Sequence, residues 1–237
     1  MRPVKNIKTG HQLNKHGDAK PDLINAMGEY CVYCERHVEA VNLDVEHVKP
    51  QKAHGKLSLT WANFLLACKS CNTYKRHYQG AERQPKILST QAWPHLDNTY
   101  VAYDYDQHGR VTVSATVNAP VLREMAARTL HMAGLDQTPA VDVAYKKLGL
   151  IFDITSRRER AWKIANLALQ AYEQNATDIQ RMSILNQAES VGFFSIWMHI
   201  FSGHALVKQS LITRFKACAA CFDLHSNPLA PRGPGRI

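Results

Sequence analysis

The sequence predicts an α+β chain: a small metal-centred ββα unit with extra strands over residues 1–118, followed by a mainly helical bundle over residues 119–237. Three observations predict it. Cys31-x-x-Cys34 is matched by Cys68-x-x-Cys71 with 33 residues between the pairs, so something folds between two metal-binding knuckles. Short β-branched stretches with alternating character occupy the first half, as half-buried strands do. From Ala119 the texture changes to Ala, Leu, Met and Arg segments with apolar residues at i, i+3, i+4 and i+7, the period of amphipathic helices.

In chain order, "GDAKPDLINAMG" reads as a short helix with Asp18 as N-cap, Pro21 in the first turn and Gly28 as its stop. It delivers the chain to the first cysteine pair. "VNLDVEHV" reads as a strand, and the second cysteine pair runs into a short helix beginning near Asn72, Lys75 and Arg76. "YVAYDYDQHGRVTVSATV" reads as a hairpin turning near His108-Gly109. "APVLREMAARTLHMAGL", "SRRERAWKIANLALQAYEQN", "DIQRMSILNQAESVG" and "HALVKQSLITRFKACAACF" follow as helices, and "SNPLAPRGPGRI" as a frayed tail.

With 237 residues and 45% apolar content the chain can bury a core. The N-terminal "MRPVKNIKTGHQLNKHG" has no apolar segment of the secretory kind, and the longest apolar run, "FFSIWMHIF", is far shorter than a bilayer requires. The expectation is a cytoplasmic protein with no membrane contact. A net charge of +9 favours a polyanionic partner, most simply nucleic acid. The charge is spread over both halves, 15 Lys/Arg against 11 Asp/Glu up to position 118 and 14 against 9 beyond it, so neither half is a basic tail. Between Lys49 and Lys86 there are eight Lys/Arg and one acid, Glu82. That strip makes the nucleic-acid reading more specific than net charge does.

Cys31, Cys34, Cys68 and Cys71 supply the four thiolates of a closed tetrahedral zinc site, a structural arrangement. A third pair, Cys218 and Cys221, has no partner pair and reads as buried thiols on a helix, with a second metal site completed by His225 as the alternative. Trp93, Tyr100, Tyr103 and Tyr105 read as cover for the core in preference to a base-stacking platform. His77, His95 and Asp97 lie near enough in sequence to join a site, though their spacing does not require it.

The order Cys31/Cys34, "EHVKP", Asn63, Cys68/Cys71, Asn72 and Lys75 resembles the HNH nuclease superfamily, in the variant whose ββα-metal core is pinned by two Cys-x-x-Cys knuckles. The match covers about Cys31 to Lys75. "MRPV", "GDAKPDL", "YCVYCER", "EHVKPQ", "WANFLLACKSCN" and "WPHLDNTYVAYDY" together look like the HNH nuclease subunits of Septu and retron-associated bacterial anti-phage systems. This chain departs from the usual pattern in having Glu46 where many members have Asp and Asn72 where many have His.

The resemblance implies a nuclease core in which His47 is the general base and Glu46 and Asn72 hold one divalent ion. Asn63, expected on the second strand, fixes the loop carrying His47. Oxygen donors at both ligand positions imply Mg²⁺ or Mn²⁺ there in preference to Zn²⁺. Lys49, Lys75 and Arg76 are the expected nucleic-acid contacts, with DNA favoured over RNA. The resemblance also implies an SMC-like or ABC-like ATPase as partner, docked on residues 119–237. The competing readings are a non-cleaving nucleic-acid-binding or scaffold subunit that kept the zinc-stabilised fold, and an RNA-cleaving toxin.

Overall fold

A computed structural model describes residues 1–5, 11–82, 90–136, 154–231 and 235–237. The first helix, α1 (Lys20–Met27), has Pro21 in its opening turn and buries Leu23 and Met27. Asp18 caps a 3₁₀ turn, His16–Ala19, that precedes α1: its Oδ2 accepts from the backbone N–H of Asn14 at 3.2 Å and of Lys15 at 3.0 Å. The chain then forms the first knuckle, Cys31 to Cys34, and enters β1 (Leu43–His47). β2 (Phe64–Cys68) pairs antiparallel with β1 in the register Leu43↔Cys68 to His47↔Phe64, and α2 (Lys69–Glu82) follows with no break. Every residue of β2 is buried, because α1 packs against it while α2 packs against both strands. This is the expected ββα unit, with the second knuckle at the junction of β2 and α2.

β3 (Tyr103–Tyr105) and β4 (Val111–Val113) form the second hairpin, and its turn falls at Gly109, where φ is +71°. Trp93 is fully buried, the Tyr103 hydroxyl donates to the Ala126 carbonyl at 3.1 Å, and the Tyr105 hydroxyl donates to Glu35 at 2.8 Å. Tyr100 is half-buried against Phe194 and Phe222. All four aromatics therefore belong to the interior and its edge.

The later helices are α3 (Pro120–Met132), α4 (Ile154–Gln174), α5 (Asp178–Val191), α6 (Phe194–Ile200) and α7 (Ala205–Arg214). The sequence pattern gave no helix for the run that becomes α6, because seven residues, five of them apolar, are too short to show a helical period. The last expected helix stops early, at Arg214. Ala217 takes a left-handed φ of +66°, and Cys218 and Cys221 sit in the 3₁₀ turn that follows. Both thiols are fully buried, and burial pushes Cys218 up to about 12, so it stays protonated.

The main apolar cluster draws on both sides of position 118, combining Val32, Leu43, Phe64 and Trp93 with Ala126, Leu130, Ile154, Ala161 and Ile196. A second cluster, among them Trp197, Phe201, Leu211 and Phe215, fills the space between the C-terminal helices.

One tight contact joins the first knuckle to these helices. Gly192, at φ +81°, forms a bridge to Arg36, and a Cβ there would lie 2.5 Å from the Glu35 carbonyl oxygen and 2.5 Å from the His37 nitrogen. Next to it, the Glu35 carbonyl accepts from Phe193 N–H at 2.8 Å and the Glu35 carboxylate from Ser195 N–H at 2.7 Å, satisfying donors at the start of α6. Gly192→Ala is therefore expected to destabilise the protein by about 2 to 3 kcal/mol, combining left-handed strain with a backbone clash. Urea denaturation of the two proteins measures it; an unchanged midpoint would show that the contact yields freely.

Candidate active site and metal centre

Two knuckles bring Cys31, Cys34, Cys68 and Cys71 together so that one sulfur of each lies within 4.8 Å of the others, all four side chains being buried. Zinc–sulfur bonds of about 2.3 Å directed at tetrahedral corners set sulfurs about 3.8 Å apart. The Cys34–Cys68 separation is 3.9 Å. Burial pushes the Cys34 and Cys71 thiols well up, while hydrogen bonds from the other three cysteines pull Cys68 well down. Four sulfurs crowded away from water, with spacing close to that around a tetrahedral metal, are a donor set that fits zinc. Among the described residues this is the one group of three or more Cys, His, Asp and Glu side chains that closes around a common point.

β1 carries the chemistry next to this centre. Its period of two sends Asp44 and Glu46 towards α2 and His47 to the other side. Glu46 is 1% exposed: the buried Tyr33 hydroxyl donates to its Oε2 at 3.0 Å, and the Lys75 ammonium contacts its Oε1. Lys75 also donates to the His47 carbonyl at 2.5 Å and lies 5.8 Å from the centre of the Trp93 ring. Its pKa is lowered by burial, against which the neighbouring carboxylate acts. The expectation that Lys75 and Arg76 share a phosphate-facing surface is corrected for Lys75, which is 3% exposed and committed to Glu46. Arg76 is exposed, as are Lys52 and Lys56, while Lys49 is half-buried. Arg83 and Lys86, which extend the basic strip, lie outside the described residues.

Asn72 turns to a neighbour the sequence reading did not single out: its Nδ2 donates to Asp44 Oδ2 at 3.0 Å. With that N–H committed, Oδ1 is the amide atom left to meet a cation. Asp44 thus fixes the amide, in the way an outer-shell group orients a metal ligand. The two expected ligands, Glu46 and Asn72, have different partners in this structure. They offer a carboxylate and an amide oxygen, which suit a hard divalent ion, with the condition that Lys75 leaves Glu46 Oε1.

His47 closes β1. Its Nε2 lies 3.0 Å from the Ser58 carbonyl oxygen, which can only accept, so Nε2 carries the hydrogen and Nδ1 keeps its lone pair. The ring packs edge-on against Phe64 at 5.2 Å between centroids and stands 5.1 Å from the exposed His16 ring. Burial lowers the His47 pKa below its ordinary 6.5; the Ser58 hydrogen bond opposes this and the neighbouring His16 adds to it. The half-buried imidazole is therefore neutral at pH 7, with one nitrogen available to take a proton.

Asn63 lies in the 3₁₀ turn Trp61–Asn63, one residue before β2 and not on it. The turn places its side chain against backbone of the loop after His47. Oδ1 accepts from Lys49 N–H at 2.7 Å, and Nδ2 donates to Lys49 O at 3.1 Å and Leu57 O at 3.2 Å. Asn63→Ala removes three hydrogen bonds to part-buried backbone groups, and is expected to cost about 2 to 3 kcal/mol of stability. Thermal unfolding of the two proteins measures it, and a shift of under a degree would count against the clamp. His95 and Asp97 are buried; Asp97 accepts from the Trp93, Arg236 and Ile237 backbone N–H groups, a structural role.

Residues 31–77 match the family model described as HNH endonuclease. Over 98 residues the chain is 31% identical to the Septu protein PtuB of Bacillus thuringiensis, covering 38% of this chain and 37% of that one. Over 82 residues it is 30% identical to the protein assigned as the HNH endonuclease of retron Vc95 in Vibrio cholerae serotype O1 biovar El Tor, covering 33% and 40%. The matched segments thus span well under half the length of these curated relatives. Among the described residues no helix is long and apolar enough to cross a membrane.

Proposed function

We propose that this chain is a metal-dependent HNH endonuclease hydrolysing phosphodiester bonds, DNA in preference to RNA. It serves as the effector of a bacterial, cytoplasmic anti-phage complex with an SMC-like or ABC-like ATPase. The observation that carries the nuclease reading is His47: within a segment that matches the HNH endonuclease family, an imidazole has one nitrogen tied to Ser58 and the other left basic. The similarity to a Septu protein and a retron-associated protein supports the defence setting, and the helices after position 118 are the proposed docking half.

His47 Nδ1 takes a proton from a water molecule. The water oxygen bonds to phosphorus in line with the 3′ oxygen, the P–O3′ bond breaks with its electron pair remaining on oxygen, and that oxygen takes a proton from solvent. The products are a 5′-phosphate and a 3′-hydroxyl. Mg²⁺ or Mn²⁺, held by Glu46 and Asn72 Oδ1, would neutralise charge on the phosphate and the leaving oxygen. Asp44 keeps the Asn72 amide turned for that purpose, Asn63 holds the loop after His47, and Lys49 and Arg76 face the phosphate backbone. The four cysteines hold a structural zinc.

Incubation of plasmid DNA and structured RNA with Mg²⁺ or Mn²⁺, alone and with the ATPase, tests the proposal. Absence of cleavage in every condition would sink it. The pH dependence follows from His47: the neutral ring is the active base, and its pKa lies below 6.5. The rate is expected to fall as pH drops through a midpoint below 6.5, when the ring protonates. A midpoint above pH 7 would point to a different base.

A further inference from the structure

We propose that His16, outside residues 31–77, is a substrate contact of the same site, donating a hydrogen bond to a phosphate oxygen of the nucleic acid beside His47. It rests on the nuclease reading and adds to it a contact from the N-terminal segment. The His16 and His47 ring centroids are 5.1 Å apart at an interplanar angle of 60°, and His16 is exposed. An exposed imidazole on the open side of a half-buried one adds little to the core. It adds an N–H donor that persists in either protonation state.

Its place is fixed from both sides. Downstream, the turn His16–Ala19 is capped by Asp18 and runs into α1, which is anchored by buried Leu23 and Met27. Upstream, Trp61 Nε1 donates to the His11 carbonyl at 3.3 Å, tying the N-terminal segment to the turn that ends in Asn63. Both segments carry exposed cations, Lys15 beside His16 in the chain and Lys52 and Lys56 on the loop after His47. The nearby acids are engaged: Asp18 with its own backbone and Asp22 with His11 at 2.9 Å. This combination takes an anion, and beside the proposed phosphodiesterase base the anion is backbone phosphate.

Two measurements decide it. Steady-state cleavage by His16→Ala and His16→Gln is expected to lose about ten- to a hundredfold in kcat/KM, with His16→Arg recovering part of the loss. In a His47→Ala background, the Kd of a short fluorescent DNA or RNA duplex is measured at fixed low salt. Adding His16→Ala there is expected to weaken binding about three- to tenfold, as loss of one hydrogen bond to phosphate would. A change in stability alone leaves the Kd of the folded protein where it was. Unchanged kcat/KM together with an unchanged Kd overturns the proposal. So does loss of fold in both the Ala and Gln variants, since an exposed substrate contact does not hold a fold together. If the wild type cleaves neither nucleic acid, the nuclease reading fails while the Kd comparison still decides whether His16 touches phosphate.

Discussion

His47→Ala is expected to lower nucleic-acid cleavage about a thousandfold while leaving the fold intact. The effect is large because the adjacent carboxylate cannot take over the proton transfer. Glu46, the nearest carboxylate in sequence, is committed to Lys75 and Tyr33 and faces the other side of the strand. The ring is half-buried at the strand's end, so its removal leaves a modest gap against Phe64 and should cost little stability. Single-turnover cleavage by the two purified proteins, with circular dichroism as a control on the fold, measures it. Activity within tenfold of wild type would remove His47 from the role of base. His47→Gln is a sharper version, because it keeps a donor for the Ser58 carbonyl and loses only the basic nitrogen.

Removal of metal from the four-cysteine centre is expected to unfold the ββα unit. Structural zinc in small domains contributes about 10 kcal/mol or more to folding, and here the sulfurs lie where the architecture converges. Cys68 ends β2, Cys71 lies in the first turn of α2, and the first knuckle is joined to β2 by Val32 N–H donating to the Leu66 carbonyl at 2.9 Å. A strong chelator, or Cys68→Ser, should abolish cooperative unfolding and cleavage together, and elemental analysis of the native protein should find about one zinc per chain. Cys218→Ser is the comparison. That thiol is buried and stays protonated, so its loss should cost no metal and only about 1 to 2 kcal/mol. Equal damage from both substitutions would show that the quartet is no more than packing.

Features carried by local spacing were legible in the sequence. The two knuckles, the strand ending in Glu46-His47 and the hairpin turning at Gly109 each depend on residues a few positions apart. What was not legible depends on partners distant in sequence. Lys75 reads as part of a basic strip until the fold sets it on Glu46, and its burial follows from that pairing. Asp44 carries a local signal: it stands two residues before Glu46 on a strand, and so shares its face. Asn63 reads as a strand residue from the family pattern. It ends a turn because its side chain, more than its backbone, makes the cross-hairpin bonds. His16 had no signal, since only the packing of the N-terminal turn on β1 brings it to His47.

The contact between Lys75 and Glu46 has a bearing on how the proposed nuclease stays quiet. The carboxylate proposed to hold the divalent ion already has a cation of its own, tethered and always present. Loading the ion is then a substitution, a double charge replacing a single one, and not the filling of a bare anionic cup. The incoming ion gains less than it would at an unpaired carboxylate, and the displaced ammonium must find another anion. Buried as it is, that ammonium has the His47 carbonyl within reach and little else. Free ion at low concentration would therefore leave the proposed site disarmed.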